Sequence, residues 1–131
     1  MAQRPVLIAS TARDPFVSEL VRILQSEGWE VRALHTIGAV QRAVRKEQPA
    51  LVVLDVMLPG GDALSLCQQW KSDPATAETP VFFFSVLMAR DRCVEAGADG
   101  FMLKPSEQEQ LLEQLREILN SRVTRLHRRA K

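Results

Sequence analysis

The sequence has no tyrosine, two cysteines and no apolar run near the roughly twenty residues that a membrane helix needs. Each shortage excludes something. With five Phe, two Trp and no Tyr, the core must be mostly aliphatic. Cys67 and Cys93 stand in helix-like contexts without metal-ligand partners at useful spacing, so they read as thiols in a reducing compartment rather than as a disulfide or a zinc site. His35 and His127 also lack ligand partners nearby. The start, Met1-Ala2-Gln3-Arg4-Pro5, has no signal-peptide core, and a cytoplasmic protein with no membrane partner is expected.

What is present is one domain's worth of chain. At 131 residues it can bury a proper core without staples, and 46% hydrophobic with 25% charged residues argues against disorder. Net charge is +1 but unevenly spread: Arg122, Arg125, Arg128, Arg129 and Lys131 follow Ser121 with no acid among them, leaving 12 basic against 16 acidic residues before. The expected division is a domain over 1–120 and a basic helical extension or tail over 121–131. In that tail Val123 and Leu126 continue the helical spacing of Leu112, Leu115 and Leu119, with Arg122, Arg125 and Arg129 alongside. Such a stripe suits a partner helix or an acidic surface; nucleic-acid binding by so short a basic segment is weakly supported.

Short apolar runs alternate with helical periodicity. Val6 to Ala9 reads as a strand. Asp14-Pro15 reads as an N-cap and first helical residue, with Phe16, Leu20, Val21 and Leu24 on one face until Gly28. Glu30–Leu34 reads as a second strand and Ile37–Lys46 as a helix capped by Thr36. Leu51-Val52-Val53-Leu54 is apolar throughout, as a strand buried on both faces of a parallel sheet must be, and Asp55 ends it. After the Pro59-Gly60-Gly61-Asp62 loop come a third helix through Trp70, a strand over Val81–Phe84 and a short helix over Arg90–Ala96. Gly100–Leu103 reads as the fifth strand, followed by a last helix opened by the capping box Ser106-Glu107-Gln108-Glu109. Five βα units predict a doubly wound α/β protein with a five-stranded parallel sheet, order 2-1-3-4-5, and helices on both faces.

In such sheets, reactive groups collect at the carboxyl ends of the strands. Those ends hold Ser10 and Thr11, Asp55, Ser85, and Lys104-Pro105. A carboxylate there can attack a phosphoryl group to form an acyl phosphate, with the hydroxyl and the ammonium holding the phosphoryl oxygens. An acid placed directly after an all-apolar strand and before a Pro-Gly loop is better explained as a site than as a loop cap. A phosphatase built on an aspartate nucleophile would want a second acid at position 57, where Met57 stands. A flavin site would want a glycine in Ser10-Thr11-Ala12-Arg13, which has none.

Four motifs in order, Leu54-Asp55-Val56-Met57-Leu58-Pro59-Gly60, Ser85, Glu95-Ala96-Gly97-Ala98-Asp99-Gly100-Phe101 and Lys104-Pro105, resemble the receiver domain of two-component response regulators over nearly the full length. The resemblance implies a signalling module rather than an enzyme. It implies Asp55 as phosphoacceptor, Ser85 as the hydroxyl that senses the phosphoryl group, Lys104 as its binder, Phe101 as the switch aromatic and a cis bond before Pro105. It also implies a histidine kinase or a downstream output protein as partner, and Mg²⁺ held by Asp55, the Met57 backbone and an acidic pair after strand one. Two features depart from the family pattern. The acidic pair is replaced by Ser10-Thr11-Ala12-Arg13, with Asp14 the nearest acid and committed as a helix cap. The stretch between Ser85 and Lys104 is about one helical turn short, which stunts the fourth helix.

The expectation is therefore a receiver acting as a switch or docking module with an impaired Mg²⁺ site. In it, Asp55 is neutralised by Lys104, or by Arg13 turned inward. The alternative is an ordinary phospho-accepting regulator in which Asp14 or a rearranged strand-one loop holds Mg²⁺.

Overall fold

The computed structural model describes residues 4–105 and 108–130. Its elements run β1 (Val6–Ala9), α1 (Pro15–Ser26), β2 (Val31–Leu34), α2 (Ile37–Glu47), β3 (Leu51–Leu54), α3 (Ala63–Ser72), β4 (Val81–Ser85), α4 (Arg90–Glu95), β5 (Gly100–Leu103) and α5 (Gln108–Ala130). All strand pairs are parallel and the order is β2-β1-β3-β4-β5, as the βα alternation predicts.

Local chemistry sets the boundaries. Asp14 caps α1 by accepting the Phe16 N–H at 3.0 Å, and Pro15 opens it, where its missing N–H costs nothing. Thr36 caps α2 through the Ala39 N–H, and Asp62 caps α3 through the Leu64 and Ser65 N–H groups. Four boundaries differ from the sequence expectation, one of them the end of α2, which reaches Glu47 rather than Lys46. β2 begins at Val31, since the Glu30 carbonyl already closes the ladder by accepting the Val6 N–H. Ser85 belongs to β4, because its residue pairs with Leu103 and its carbonyl accepts the Lys104 N–H at 2.8 Å. α4 stops at Glu95 after six residues, and its N-cap residue, Ala89, supplies no side-chain cap. Of the expected capping box, Ser106 and Glu107 lie outside the described residues, as do the side chains of Arg122, Val123, Arg125, Leu126 and Arg129; the backbone of α5 is helical to Ala130.

The sheet separates two cores. On one face α2, α3 and α4 pack Val40, Leu66, Trp70 and Cys93 against Leu7, Leu54 and Phe83. On the other, α1 and α5 pack Leu20, Leu24, Leu111 and Leu115 against Ile8, Val53 and Phe82. β1, β3 and β4 are buried along their whole length, which explains their unbroken apolar runs, whereas the edge strand β2 is half open.

Cys67 and Cys93 are both free and buried, and burial pushes each thiol up to about 11. A thiolate-directed reagent at pH 8 should therefore label the native protein slowly and both thiols promptly after denaturation. Rapid labelling of either thiol in the native state would show that α3 or α4 opens on the time scale of the reaction.

Candidate functional site

Asp55, Ser85 and Lys104 converge at the carboxyl edge of the sheet because they end or follow the three neighbouring strands β3, β4 and β5. All three are buried. Asp55 Oδ1 accepts the Ser85 hydroxyl at 2.9 Å and the Met57 N–H at 2.9 Å, while Oδ2 accepts the Lys104 ammonium at 2.8 Å. The Leu87 N–H donates to Ser85 Oγ at 3.2 Å, which fixes the hydroxyl from behind. The bond between Lys104 and Pro105 is cis.

Lys104 has a second carboxylate. Its ammonium also pairs with Asp14 Oδ2, and it lies 5.2 Å from the centroid of the Phe84 ring. The side chains are 2% exposed for Lys104, 7% for Asp55 and 9% for Asp14, so the cluster is almost dry and its charge–charge contacts are weakly screened. The sequence argument committed Asp14 to the helix cap in its main reading and brought it to the pocket only in the alternative, as a metal ligand. In the structure its two oxygens divide the work, Oδ1 taking the Phe16 N–H and Oδ2 the Lys104 ammonium. The cluster of Asp14, Asp55 and Lys104 thus carries a formal charge of −1 rather than the zero of Asp55 and Lys104 alone.

The other strand-one positions are placed differently. Ser10 is buried, with its hydroxyl donating to the Thr11 carbonyl at 3.3 Å, and its own carbonyl accepts His35 Nδ1–H at 3.0 Å. Thr11 is exposed. Arg13 is exposed with φ +64°, so it neither turns inward nor meets Asp55; the neutralising cation is Lys104. Met57 offers its side chain to solvent and its backbone N–H to Asp55. Phe101 is buried beside α4, with the Arg90 guanidinium 5.3 Å from its ring centroid. Sequence reasoning missed Arg90, Phe84, His35 and the Leu87 N–H as neighbours of these groups. Only Arg90 had a signal, its place at the start of the short helix next to the Phe101 strand.

A buried carboxylate, a hydroxyl and an ammonium are therefore assembled. The donor set does not fit a hard divalent cation well. Mg²⁺ wants near-octahedral oxygen ligands and gives up water reluctantly. Here Asp14 offers one oxygen to a helix N-terminus, both remaining outer carboxylate oxygens rest on Lys104, and the residues after β1 supply hydroxyls in place of carboxylates. No group of three His, Cys, Asp or Glu side chains able to hold a metal occurs among the described residues.

Residues 8–116 match the family defined by the response regulator receiver domain. RpaA of Synechocystis sp., a DNA-binding dual master transcriptional regulator, is 36% identical over 123 residues, covering 90% of this chain and 50% of that protein. The beryllofluoride-activated N-terminal receiver domain of RstA from Klebsiella pneumoniae is similar in structure with a TM-score of 0.77 at 26% identity, covering 88% of this chain and 97% of that one. A CheY-like response regulator receiver domain protein from Methanospirillum hungatei has a TM-score of 0.81 at 22% identity, covering 95% and 99%, and shares the fold. The chain spans half or less of the curated relatives that it matches.

Proposed function

This chain belongs to the response regulator receiver domain family, and from that premise we propose that it works as a docking module in which Lys104 holds Asp55 in one state without a divalent cation. The observation that carries the proposal is the Lys104 ammonium lying between Asp14 and Asp55. Receiver domains of this family typically bind Mg²⁺ at the phosphorylation site and exchange signals with histidine kinases and output domains. In this chain Ser10 and Thr11 stand after β1 where the family pattern has an acidic pair, so most of the attraction for Mg²⁺ is gone and the lysine supplies the positive charge that remains. Fixing Asp55 this way suits constant engagement with a protein partner better than a reversible switch. Among the described residues no helix is long and apolar enough to cross a membrane.

A second reading is favoured by one finding. Asp14 does reach the pocket, so an ordinary receiver could use it as the acid after β1. An Asp55 oxygen would then attack phosphorus, the donor's leaving group would depart with its bonding electrons, and an acyl phosphate would remain.

The two readings separate on one experiment, incubation with Mg²⁺ and acetyl phosphate, or with beryllofluoride, beside an Asp55→Asn control. The docking reading expects no stoichiometric adduct and no millimolar Mg²⁺ binding. An adduct that vanishes in the control, or Mg²⁺ affinity abolished by Asp14→Ala, would establish the phospho-accepting switch instead.

A further inference from the structure

We propose that the open edge of β2, together with the groove between β2 and α2, docks an extended acidic segment of a partner protein, which adds to the sheet as a sixth strand. The site is on the flank of the fold, away from the β3–β4–β5 ends that carry Asp55, and the proposal stands independently of how Asp55 works.

The first observation is the edge itself. β2 is the terminal strand on its side of the sheet. The Glu30 carbonyl accepts the Val6 N–H at 2.9 Å and the Leu34 carbonyl accepts the Ser10 N–H at 3.1 Å, so the alternate residues Glu30, Arg32 and Leu34 turn their backbone groups toward β1. By the same alternation the N–H and C=O of Val31 and Ala33 point outward, where an added strand would meet them.

The second observation is charge. A groove of about 320 Å³ runs between the edge and α2, floored by Leu34, Ala39 and Ala43 and walled by Arg32, Arg42, Lys46 and Glu47. Glu47 forms an ion pair with Arg32. Arg42 and Lys46 lie one turn apart on α2 and pair with no carboxylate among the described residues, so two cations face the groove uncompensated. An extended peptide entering here would present alternate side chains to the two faces of the sheet. Those on the α2 side meet Arg42 and Lys46 and should be acidic. Those on the other side continue the face on which Val31 packs with the α1 and α5 core and should be apolar. A nucleic acid could use the cations but has no strand backbone for Val31 and Ala33, so the edge selects a peptide.

The test uses the full chain and a fluorescent peptide of alternating Glu and Val, with a Lys/Val peptide and a thymidine oligonucleotide as comparisons. Anisotropy should show binding of the Glu/Val peptide only, weakened ~ten-fold or more by the surface pair Arg42→Glu and Lys46→Glu, since reversing charges that face a complementary partner removes attraction and adds repulsion. Amide exchange should show Val31 and Ala33 N–H groups protected by the bound peptide. Failure of the Glu/Val peptide to bind, unchanged affinity in the charge-reversed protein, stronger binding of the oligonucleotide, or unprotected Val31 and Ala33 amides in the bound state would each overturn the proposal.

Discussion

Replacing Lys104 by Met should cost the fold about 3–5 kcal/mol, because it deletes the one cation from a buried cluster and leaves two carboxylates facing each other without it. Methionine matches the length of the lysine stem, so the loss is of charge more than of packing. The pair term can be isolated with Asp55→Asn. That substitution alone sets an amide donor against the ammonium and should cost roughly 1–3 kcal/mol. Combined with Lys104→Met it removes the orphaned charge at Asp55, so the double variant should be markedly more stable than the sum of the two losses. Urea unfolding of the three variants measures this directly. A Lys104→Met protein within about 1 kcal/mol of the parent would mean that water enters the cluster freely and that Lys104 does not hold Asp55. It would weaken the docking reading at its base.

How much of this could be read without coordinates follows from where each signal resides. The strands β1, β3 and β4 and the edge that collects Asp55, Ser85 and Lys104 were legible because a strand buried on both faces leaves an unbroken apolar run, although the polar Ser85 hid the last residue of β4. The cap at Asp14 was legible for the same local reason, an acid before proline. Its second oxygen was not. Whether a capping carboxylate also meets a lysine 90 residues later depends on how α1 sits over the end of β5, and no local pattern records that. The Arg90–Phe101 contact and the Phe84 ring beneath Lys104 escaped for the same reason, as contacts across elements. Of the two cations the sequence offered for Asp55, Lys104 or Arg13, the choice was not legible: Arg13 is exposed with a left-handed backbone, a conformation seldom expected of a residue other than glycine, Asn or Asp. β2 was drawn one residue too long because Glu30 contributes a ladder carbonyl without being a strand residue itself.

Gly100 was quoted for the motif it belongs to, yet its physical requirement appears only in the sheet. It pairs with Phe82 across β4 and β5, and a Cβ at Gly100 would sit 2.6 Å from two atoms of the Phe82 ring. Phe82 is fully buried, so moving its ring aside disturbs the packing around it. Gly100→Ala should therefore destabilise the protein by about 1–3 kcal/mol, and Gly100→Val should reach or exceed the top of that range. Shortening the opposing ring should relieve the clash: Phe82→Leu costs stability by itself, yet in the Gly100→Ala background the two losses should fall short of their sum. The effect also reaches the site. Lys104 follows β5 directly, its main-chain N–H is tied to the Ser85 carbonyl, and the ladder from Gly100 to Leu103 sets where its ammonium arrives. If β5 yields to the new Cβ by sliding away from β4, the Lys104–Asp55 pair should loosen with it, and the coupling between Lys104→Met and Asp55→Asn should shrink in the Gly100→Ala protein. An unaltered coupling, with Gly100→Ala as stable as the parent to within about 0.5 kcal/mol, would show that the Phe82 ring moves freely and that β5 is not held in register by this contact.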